Sequence, residues 1–288
     1  MEYGMRDTLT LRFLYRTVPG RMVLKLLVHP RVSVAAGHFL SCGLSKLFVP
    51  WYVRKNHIDM KNVVIPSGGF SSFNDFFTRK LNTRVGFKSK RGSVISPCDG
   101  FLTPLNIAED RIFDIKNAEY TLEELLKSKG LSERFKDGTA FIFRLTPANY
   151  HRYCYGVSGR ILASRRIEGV LHCVRPVALS AFPVFVQNSR EYQVIRARDF
   201  GTVVQMEIGA LLVGKIKNYP VSPEKSTVLA GEEKGYFEFG GSTILLLFQK
   251  DAVLVNEELY RRLDANAEIP VHIGETVAVK KNSKAHFS

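Results

Sequence analysis

The sequence predicts an α+β fold in which β-strands predominate. Short apolar runs, separated by Gly, Pro and Asn, fill most of the chain after residue 66. One segment in that part carries a helix-start signal, and apolar residues recur at helical spacing near the N-terminus. With 288 residues, 45% of them apolar, the chain is long enough to bury one large core.

The N-terminal segment mixes apolar and basic residues and contains few acids. It predicts two or three short amphipathic helices with a break at Pro19-Gly20. Such helices either lie in a membrane interface or pack on the rest of the protein, and the pattern allows both. The uncharged stretch between Arg31 and Lys46 is shorter than the roughly 20 residues that span a bilayer. The helical spacing is seen at Leu11, Leu14, Tyr15 and Val18, and again at Leu24, Leu27 and Val28.

The composition changes around Pro66-Ser67-Gly68-Gly69, where we place a boundary. The sequence therefore predicts a basic helical segment over residues 1–66 and a main domain over residues 67–288.

The main domain contains one helix signal and several strand signals. Thr121 and Glu124 form a capping box, and Gly130 stands where the helix should end. Apolar, β-branched and aromatic residues favour strands elsewhere. The predicted strands cover 140–145, 159–167, 203–208, 211–216, 243–248 and 276–279.

The charge of the chain indicates an anionic partner. The net charge is +14 and the pI about 9.7, which suits nucleic acid, an acidic membrane or an anionic substrate. No nucleic-acid-binding motif is present, so we expect no nucleic acid. The opening residues lack the features of a signal peptide. Four scattered cysteines without a Cys-x-x-Cys pair predict neither a zinc site nor a dense disulfide framework, and favour a reducing cytosolic setting: Cys42, Cys98, Cys154 and Cys173.

The most informative stretch places two glycines before Ser242, at the start of an apolar run. Glycines permit strained backbone, and a serine hydroxyl can attack the preceding carbonyl carbon in an N-to-O acyl shift. The same pattern also describes a tight turn that enters a core strand. Two other segments decide between these interpretations: Ser96-Pro-Cys-Asp99-Gly100, with a carboxylate in a turn, and Tyr150-His151-Arg-Tyr-Cys154, with a histidine among aromatic residues.

Together these segments resemble the phosphatidylserine decarboxylase family. The resemblance runs from about Gly69 to Phe248 in matching order. Its further marks are Phe73-Asn-Asp-Phe-Phe-Thr-Arg-Lys-Leu81, Val184-Phe-Val-Gln-Asn188-Ser-Arg190, Gly209-Ala-x-x-Val-Gly214 and the Gly-Ser-Thr processing site.

The resemblance implies that the chain cuts itself between Gly241 and Ser242. Residues 1–241 would form a β chain and 242–288 an α chain that remain associated, with Ser242 converted into a pyruvoyl group as the cofactor. Asp99 and His151 match positions that assist the cleavage as orienting acid and base, as in a serine triad. His151 is also the candidate proton donor in decarboxylation. No metal is implied.

The chain departs from the family pattern at two places. Many members carry a second histidine where this chain has Cys154, so the base is assigned to His151 with that alternative open. Gly240 stands where many members have Leu or Val, and this second glycine should loosen the turn.

The implied reaction converts phosphatidylserine into phosphatidylethanolamine through an imine with the pyruvoyl group, which receives the electrons that carbon dioxide leaves behind. The implied fold is a β-sandwich or barrel-like core with N-terminal helices on an anionic membrane. We expect a homodimer, peripheral on the cytoplasmic face of the cell membrane. Four polar residues are candidates for the lipid head group: Asn188, Arg190, His172 and Arg152.

Three alternatives remain open at this stage. The first is a serine hydrolase that uses Asp99, His151 and Ser242 without cutting itself, although the chain lacks a Gly-x-Ser-x-Gly elbow. The second is a pyruvoyl decarboxylase of a soluble amino acid. The third is a membrane-binding β-domain without enzymatic activity.

Overall fold

The computed structural model describes residues 9–82, 89–108, 111–115, 118–174, 176–179, 181–210, 215–221, 226–239, 242–264 and 267–281. Helices dominate residues 9–55, and strands dominate the described residues after them. The helices are α1 Leu9–Arg16, α2 Val18–Leu27, α3 Pro30–Ser41, α4 Val49–Lys55, α5 Phe73–Phe77, α6 Leu122–Leu126, α7 Lys129–Ser132, α8 Pro176–Leu179 and α9 Val184–Gln187. The strands are β1 Val63–Val64, β2 Lys80–Leu81, β3 Ser93–Ile95, β4 Gly100–Asn106, β5 Arg111–Ile115, β6 Ala118–Thr121, β7 Thr139–Leu145, β8 Arg152–Cys154, β9 Gly159–Ile167, β10 Arg190–Ala197, β11 Gly201–Ile208, β12 Ile216–Asn218, β13 Thr227–Val228, β14 Glu233–Phe237, β15 Ser242–Phe248, β16 Val253–Val255, β17 Ile269–Val271 and β18 Thr276–Lys280.

The centre of the fold is an antiparallel sheet of eight strands. Their order is β13-β9-β10-β11-β15-β7-β4-β17. Two three-stranded sheets, β12-β14-β8 and β16-β18-β3, and two two-stranded sheets, β1-β2 and β5-β6, accompany it. The prediction of an α+β fold is confirmed. None of the sheets among the described residues closes into a barrel, which corrects the barrel-like expectation, and the sandwich arrangement stays a prediction.

Strand β15 lies inside the large sheet, between β11 and β7. Its residues Ile244–Phe248 are fully buried and contribute to two different clusters. Leu245 and Leu247 join the cluster that contains residues of α6, whereas Leu246 joins the cluster that contains residues of β3, β8 and β14. Because both faces of the sheet are covered, this strand is apolar without alternation.

The N-terminal helices pack on the main body with one side and face solvent with the other. Tyr15, Leu24 and Tyr52 are buried in the core. The predicted break lies slightly earlier than expected, because Thr17 caps α2 and Pro19 occupies its first turn, where proline is tolerated. A Cβ on Gly20 would lie 2.0 Å from the Phe13 carbonyl oxygen, so only glycine permits this contact between α1 and α2. Among the described helices, none is both long and apolar enough to cross a membrane.

The predicted capping box is present at the start of α6, but the helix ends before the predicted Gly130. It ends at Leu126, and Lys127 adopts a left-handed conformation with φ of 50°. The terminal carbonyls of α6 accept hydrogen bonds from long side chains, including Tyr192 and Arg165, so a glycine cap is not needed. Gly130 instead lies within α7.

Five of the six predicted strands are confirmed as β7, β9, β11, β15 and β18. The prediction over 211–216 falls mainly on residues outside the described ranges.

Candidate active site

Ser242 begins β15 directly opposite Leu145, the last residue of β7. On the other side of β7, Phe101 of β4 pairs with Arg144. Gly100, the residue before Phe101, pairs with Val271 of β17. Ser242 and Gly100 therefore lie at the same end of the sheet, two strand spacings or about 10 Å apart. Asp99 precedes Gly100, so the candidate nucleophile and the candidate acid meet at one sheet end.

The hydroxyl of Ser242 is buried at the start of β15. The residue is fully buried, and its Oγ makes no hydrogen bond to the part of the chain that the structure describes. An unsatisfied buried hydroxyl costs about 1–3 kcal/mol, so such a group calls for a functional explanation. A serine whose hydroxyl is consumed when the residue becomes a carbonyl group would explain why this hydroxyl has no permanent hydrogen-bond partner among the described residues. Gly240 and Gly241 lie outside the described residues.

His151 is held in the segment between β7 and β8. Its ring is buried and packs against Phe77, with ring centroids 4.1 Å apart. Its Nδ1 lies 2.9 Å from the Asn149 carbonyl oxygen. Because a carbonyl oxygen only accepts, Nδ1 carries the proton and Nε2 is the basic nitrogen of the neutral ring.

Asp99 contacts the segment that follows β17. Its Oδ1 accepts a hydrogen bond of 2.8 Å from the Ile273 backbone N–H and lies 3.8 Å from Nδ1 of His272. Burial raises the pKa of Asp99, although the Ile273 N–H, His272 and Arg79 each oppose that rise. The Pro97 carbonyl accepts from the Cys154 N–H, so the turn that carries Asp99 touches the segment that follows His151.

Comparison with known proteins decides the family. The phosphatidylserine decarboxylase family model matches residues 73–279. The chain belongs to the phosphatidylserine decarboxylase family. It is 40% identical to phosphatidylserine decarboxylase proenzyme 2 of Clostridium acetobutylicum over 93% of this chain and 90% of that protein. It is 38% identical to the phosphatidylserine decarboxylase proenzyme of Clostridium tetani over 88% and 85% of the two chains. The proenzyme of Fusobacterium nucleatum is 35% identical over 94% and 91%.

Membership confirms the prediction, made from the motifs, that the chain is a phosphatidylserine decarboxylase enzyme. It leaves the roles of individual residues to be argued from the structure.

Cys154, which replaces the second histidine of many family members, is poorly suited to act as a base. The thiol is fully buried, and its Sγ lies 3.9 Å from the Ser96 carbonyl oxygen. Burial raises the pKa of Cys154 to about 12, so the thiol stays protonated at neutral pH.

The side chains of Asn188 and Arg190 make their hydrogen bonds to backbone groups. The Asn188 side chain accepts from the His172 N–H and donates to the carbonyl oxygens of His172 and Gly209. Arg190 is 1% exposed, and its guanidinium donates to four backbone carbonyls, including that of Leu125 at 2.8 Å. These contacts hold the loops at the sheet end in place.

The other two head-group candidates lie apart from each other. Arg152 donates to the carboxylate of Glu233 at 2.6 Å and to the backbone carbonyl of Thr78 at 2.8 Å. His172 stacks on Phe182, with ring centroids 4.7 Å apart, and burial lowers its pKa. Hydrogen bonds thus link His172, Asn188 and Arg190, whereas the side chain of Arg152 bonds to a different set of residues: Thr78, Arg79, Tyr219 and Glu233.

A large apolar cavity lies beside His172. Its volume is about 790 Å³, and its walls come from α2 and from the segment 169–187. Basic Arg21 and Lys25 are among the lining residues, with Met22 and Val170. A cavity of this size and character suits a hydrocarbon chain.

Two residues near Asp99 were not predicted as site residues. His272 comes to Asp99 through the pairing of β17 with β4, which sequence patterns do not reveal. Arg79 lies within the Phe73–Leu81 family motif, so the motif was the available signal. Both side chains line a second cavity of about 260 Å³ together with Asp99, Asn149 and Tyr150.

Proposed function

We propose that this chain is a proenzyme that cuts itself between Gly241 and Ser242 and then converts phosphatidylserine into phosphatidylethanolamine. The observation that carries the proposal is the fully buried Ser242 hydroxyl, which lacks a hydrogen-bond partner among the described residues. Family membership supports the reaction, and the proenzyme names of the relatives support the cleavage.

The cleavage begins with the Ser242 hydroxyl. Nε2 of His151 takes its proton, and Oγ attacks the Gly241 carbonyl carbon, so that an ester forms while the peptide C–N bond breaks. Elimination of that ester releases the Gly241 carboxylate and leaves dehydroalanine at residue 242. Water then hydrolyses the imine tautomer of this residue, which yields the pyruvoyl group and ammonia. Asp99 acts as the orienting acid in this proposal, through the sheet end it shares with Ser242.

The two chains stay together because the cut lies just before the first residue of a strand that is paired on both sides. Strand β15 is hydrogen-bonded to β11 and β7 on its two sides, and β17 pairs with β4. Cleavage before Ser242 breaks none of these ladders. Residues 1–241 and 242–288 are thus proposed to remain one folded unit.

In the second reaction the pyruvoyl carbonyl supplies the electron sink for decarboxylation. His151 holds the proton that is delivered to the α-carbon of the substrate. Its burial against Phe77 keeps bulk water from this nitrogen, which protects the proton transfer from competition. Of the four head-group candidates, His172 lies at the apolar cavity, and Asn188 holds the backbone at His172.

A lipid substrate is supported by the N-terminal helices. Most of the exposed large apolar side chains of the described residues lie between Leu9 and Ile65, including Leu26 at 70% and Leu47 at 72% exposure. Lys and Arg are interspersed, and Asp59 is the acid of this stretch. Basic, apolar surfaces of this kind bind anionic leaflets. We propose a peripheral protein on the cytoplasmic face of the cell membrane, with residues 1–66 as the docking segment and 67–288 as the catalytic domain. Homodimer formation is part of the same proposal and follows from the family resemblance.

The test is product formation by the purified protein. Phosphatidylserine in mixed micelles should yield phosphatidylethanolamine, and the Ser242→Ala variant should yield none. Free serine in detergent-free buffer is the comparison substrate. Turnover of free serine at an equal rate would show that the substrate is a soluble amino acid rather than a lipid. A wild-type chain that stays uncut and is labelled by a serine-directed phosphonate would favour a serine hydrolase.

A further inference from the structure

Arg79 is a buried cation in the segment that joins α5 to β2. The residue is 5% exposed, and its Nε and Nη1 have no hydrogen-bond partner within the described ranges. The Phe76 ring lies 5.0 Å from its Cζ. Other buried arginines in this protein are satisfied, Arg152 by Glu233 and Arg190 by backbone carbonyls. Asp99 interacts with this charge electrostatically. Because buried guanidinium donors without acceptors are costly, Arg79 is nevertheless suited to bind an anion.

Arg79 lines the cavity of about 260 Å³ at the sheet end. Since one water occupies about 30 Å³, the cavity holds a phosphate-sized group with several waters. Its polar walls are formed by Asn149, Tyr150, His272 and two carboxylates, Asp59 and Asp99. The Asp99 carboxylate is turned to the Ile273 N–H and to His272, and no hydrogen bond joins it to Arg79 in the described structure.

The cavity lies close to the candidate chemistry. Asn149 and Tyr150 immediately precede His151, and Asp99 precedes Gly100, whose backbone lies about 10 Å from that of Ser242 across β7. Phe77, two residues before Arg79, packs against the His151 ring. An anion on Arg79 would therefore be held beside the reacting centre.

We propose that Arg79 anchors the phosphodiester of a phospholipid head group in this cavity. The inference rests on the proposed function, since it names a binding residue for that substrate. The guanidinium fork matches the oxygens of a phosphodiester and binds them through charge-assisted hydrogen bonds.

The phosphodiester is a better partner for Arg79 than the substrate carboxylate. The carboxylate loses its charge as carbon dioxide departs, so a buried cation bound to it would stabilise the substrate more than the transition state. The phosphodiester keeps its charge throughout the reaction. Arg79 therefore stabilises the bound substrate and the transition state equally, so its loss raises KM without lowering kcat.

The experiment compares Arg79→Gln and Arg79→Lys with Arg261→Gln, a matched charge removal at a surface residue whose side chain is 81% exposed. All three proteins should cut themselves as the wild type does. For Arg79→Gln we expect KM for phosphatidylserine in mixed micelles to rise about 10- to 100-fold with kcat within about threefold, as loss of a charge-assisted bond predicts. Arg79→Lys should lie between, because it keeps the charge but not the fork.

Two soluble inhibitors identify the anion. Glycerophosphoserine should compete with the lipid in the wild type, and its inhibition constant should rise in Arg79→Gln by the same factor as KM. Inorganic phosphate should compete only weakly. Arg79-dependent inhibition by phosphate without any by glycerophosphoserine would assign the site to free phosphate and overturn the proposal.

The proposal also fails if kcat falls at unchanged KM, or if both Arg79 variants remain uncut, which would give Arg79 a role in maturation. If Arg79→Gln does not fold, the test is the KM of Arg79→Lys. A raised KM supports the proposal, and an unchanged KM contradicts it. A wild-type protein that makes no phosphatidylethanolamine contradicts the proposed function. An active wild type with an unchanged Arg79→Gln KM contradicts this inference alone.

Discussion

Ser242 lies opposite Leu145 in the ladder between β15 and β7, and β7 separates it from the turn that carries Asp99. This pairing places the buried serine at the start of a strand that is hydrogen-bonded on both sides. A chain break just before Ser242 can therefore free a new terminus without dismantling the sheet.

The first prediction concerns the base. We expect His151→Ala to lower the rate of self-cleavage by about 10²- to 10⁴-fold, the usual contribution of a general base. Cys154→Ser should change it by less than about tenfold, because burial raises the pKa of the Cys154 thiol to about 12 and keeps it protonated. The fraction of cut chain against time, measured by mass spectrometry, separates the two. A larger loss in Cys154→Ser than in His151→Ala would move the base to Cys154.

The second prediction concerns the membrane surface. Leu26→Gln and Leu47→Gln should each weaken binding to anionic vesicles by about tenfold or more, since a buried leucine contributes about 1.5–3 kcal/mol. The control is Leu162→Gln, which changes an exposed leucine of β9, outside the N-terminal segment. Point changes are sharper than truncation, because Tyr15 and Tyr52 belong to the core. Equal vesicle binding by all four proteins would remove the docking role.

The third prediction concerns the pH dependence of stability. Burial raises the pKa of Asp99, so the folded state holds this proton more tightly than the unfolded state does. The free energy of unfolding therefore falls as pH rises from about 4, the ordinary carboxyl pKa, through the raised value. Asp99→Asn removes that loss and should raise the urea midpoint at pH 7 but not near pH 3.

This measurement belongs in the uncut Ser242→Ala background, where unfolding involves a single chain. The exposed Asp251, whose pKa Lys281 lowers, is a control of opposite sign. Asp251→Asn should not stabilise the protein at pH 7. An Asp99→Asn midpoint that is lower than that of its parent at pH 7 would refute the assigned sign.

The fourth prediction concerns the ion pair between Lys234 and Glu207, both fully buried. Asn218 supports it by accepting from Lys234 Nζ at 2.8 Å. Lys234→Met leaves a buried carboxylate without its cation and should lower the free energy of unfolding by about 3–5 kcal/mol. Adding Glu207→Gln should recover much of that loss, as measured by urea unfolding in the Ser242→Ala background. No recovery would show that packing of the lysine stem, rather than charge, is responsible.

Local patterns were sufficient for elements that local interactions determine. The apolar run of β15 and the capping box of α6 involve neighbouring residues, so the sequence reveals both. The prediction that α6 ends at Gly130 was wrong, because side chains distant in sequence, such as Tyr192, donate hydrogen bonds to the last carbonyl groups of α6. Tertiary contacts replaced the local cap.

The site was predictable only where a family motif marks it. Ser242 and His151 lie in such motifs, but Asn188 and Arg190 do too, and they hold backbone groups. The partner of Arg190 at Leu125 is 65 residues away, and the Asp99 contact with Ile273 spans 174 residues. Only the folded sheet shows which polar residues of a motif face a cavity and which support a loop.

The most direct test is the intact mass of the purified, denatured protein beside its Ser242→Ala variant. We predict two fragments for the wild type, one ending at Gly241 and one beginning with a pyruvoyl-blocked residue 242, and a single full-length chain for the variant. A wild-type chain that remains whole under folding conditions would contradict the conversion of Ser242 on which the proposed function depends.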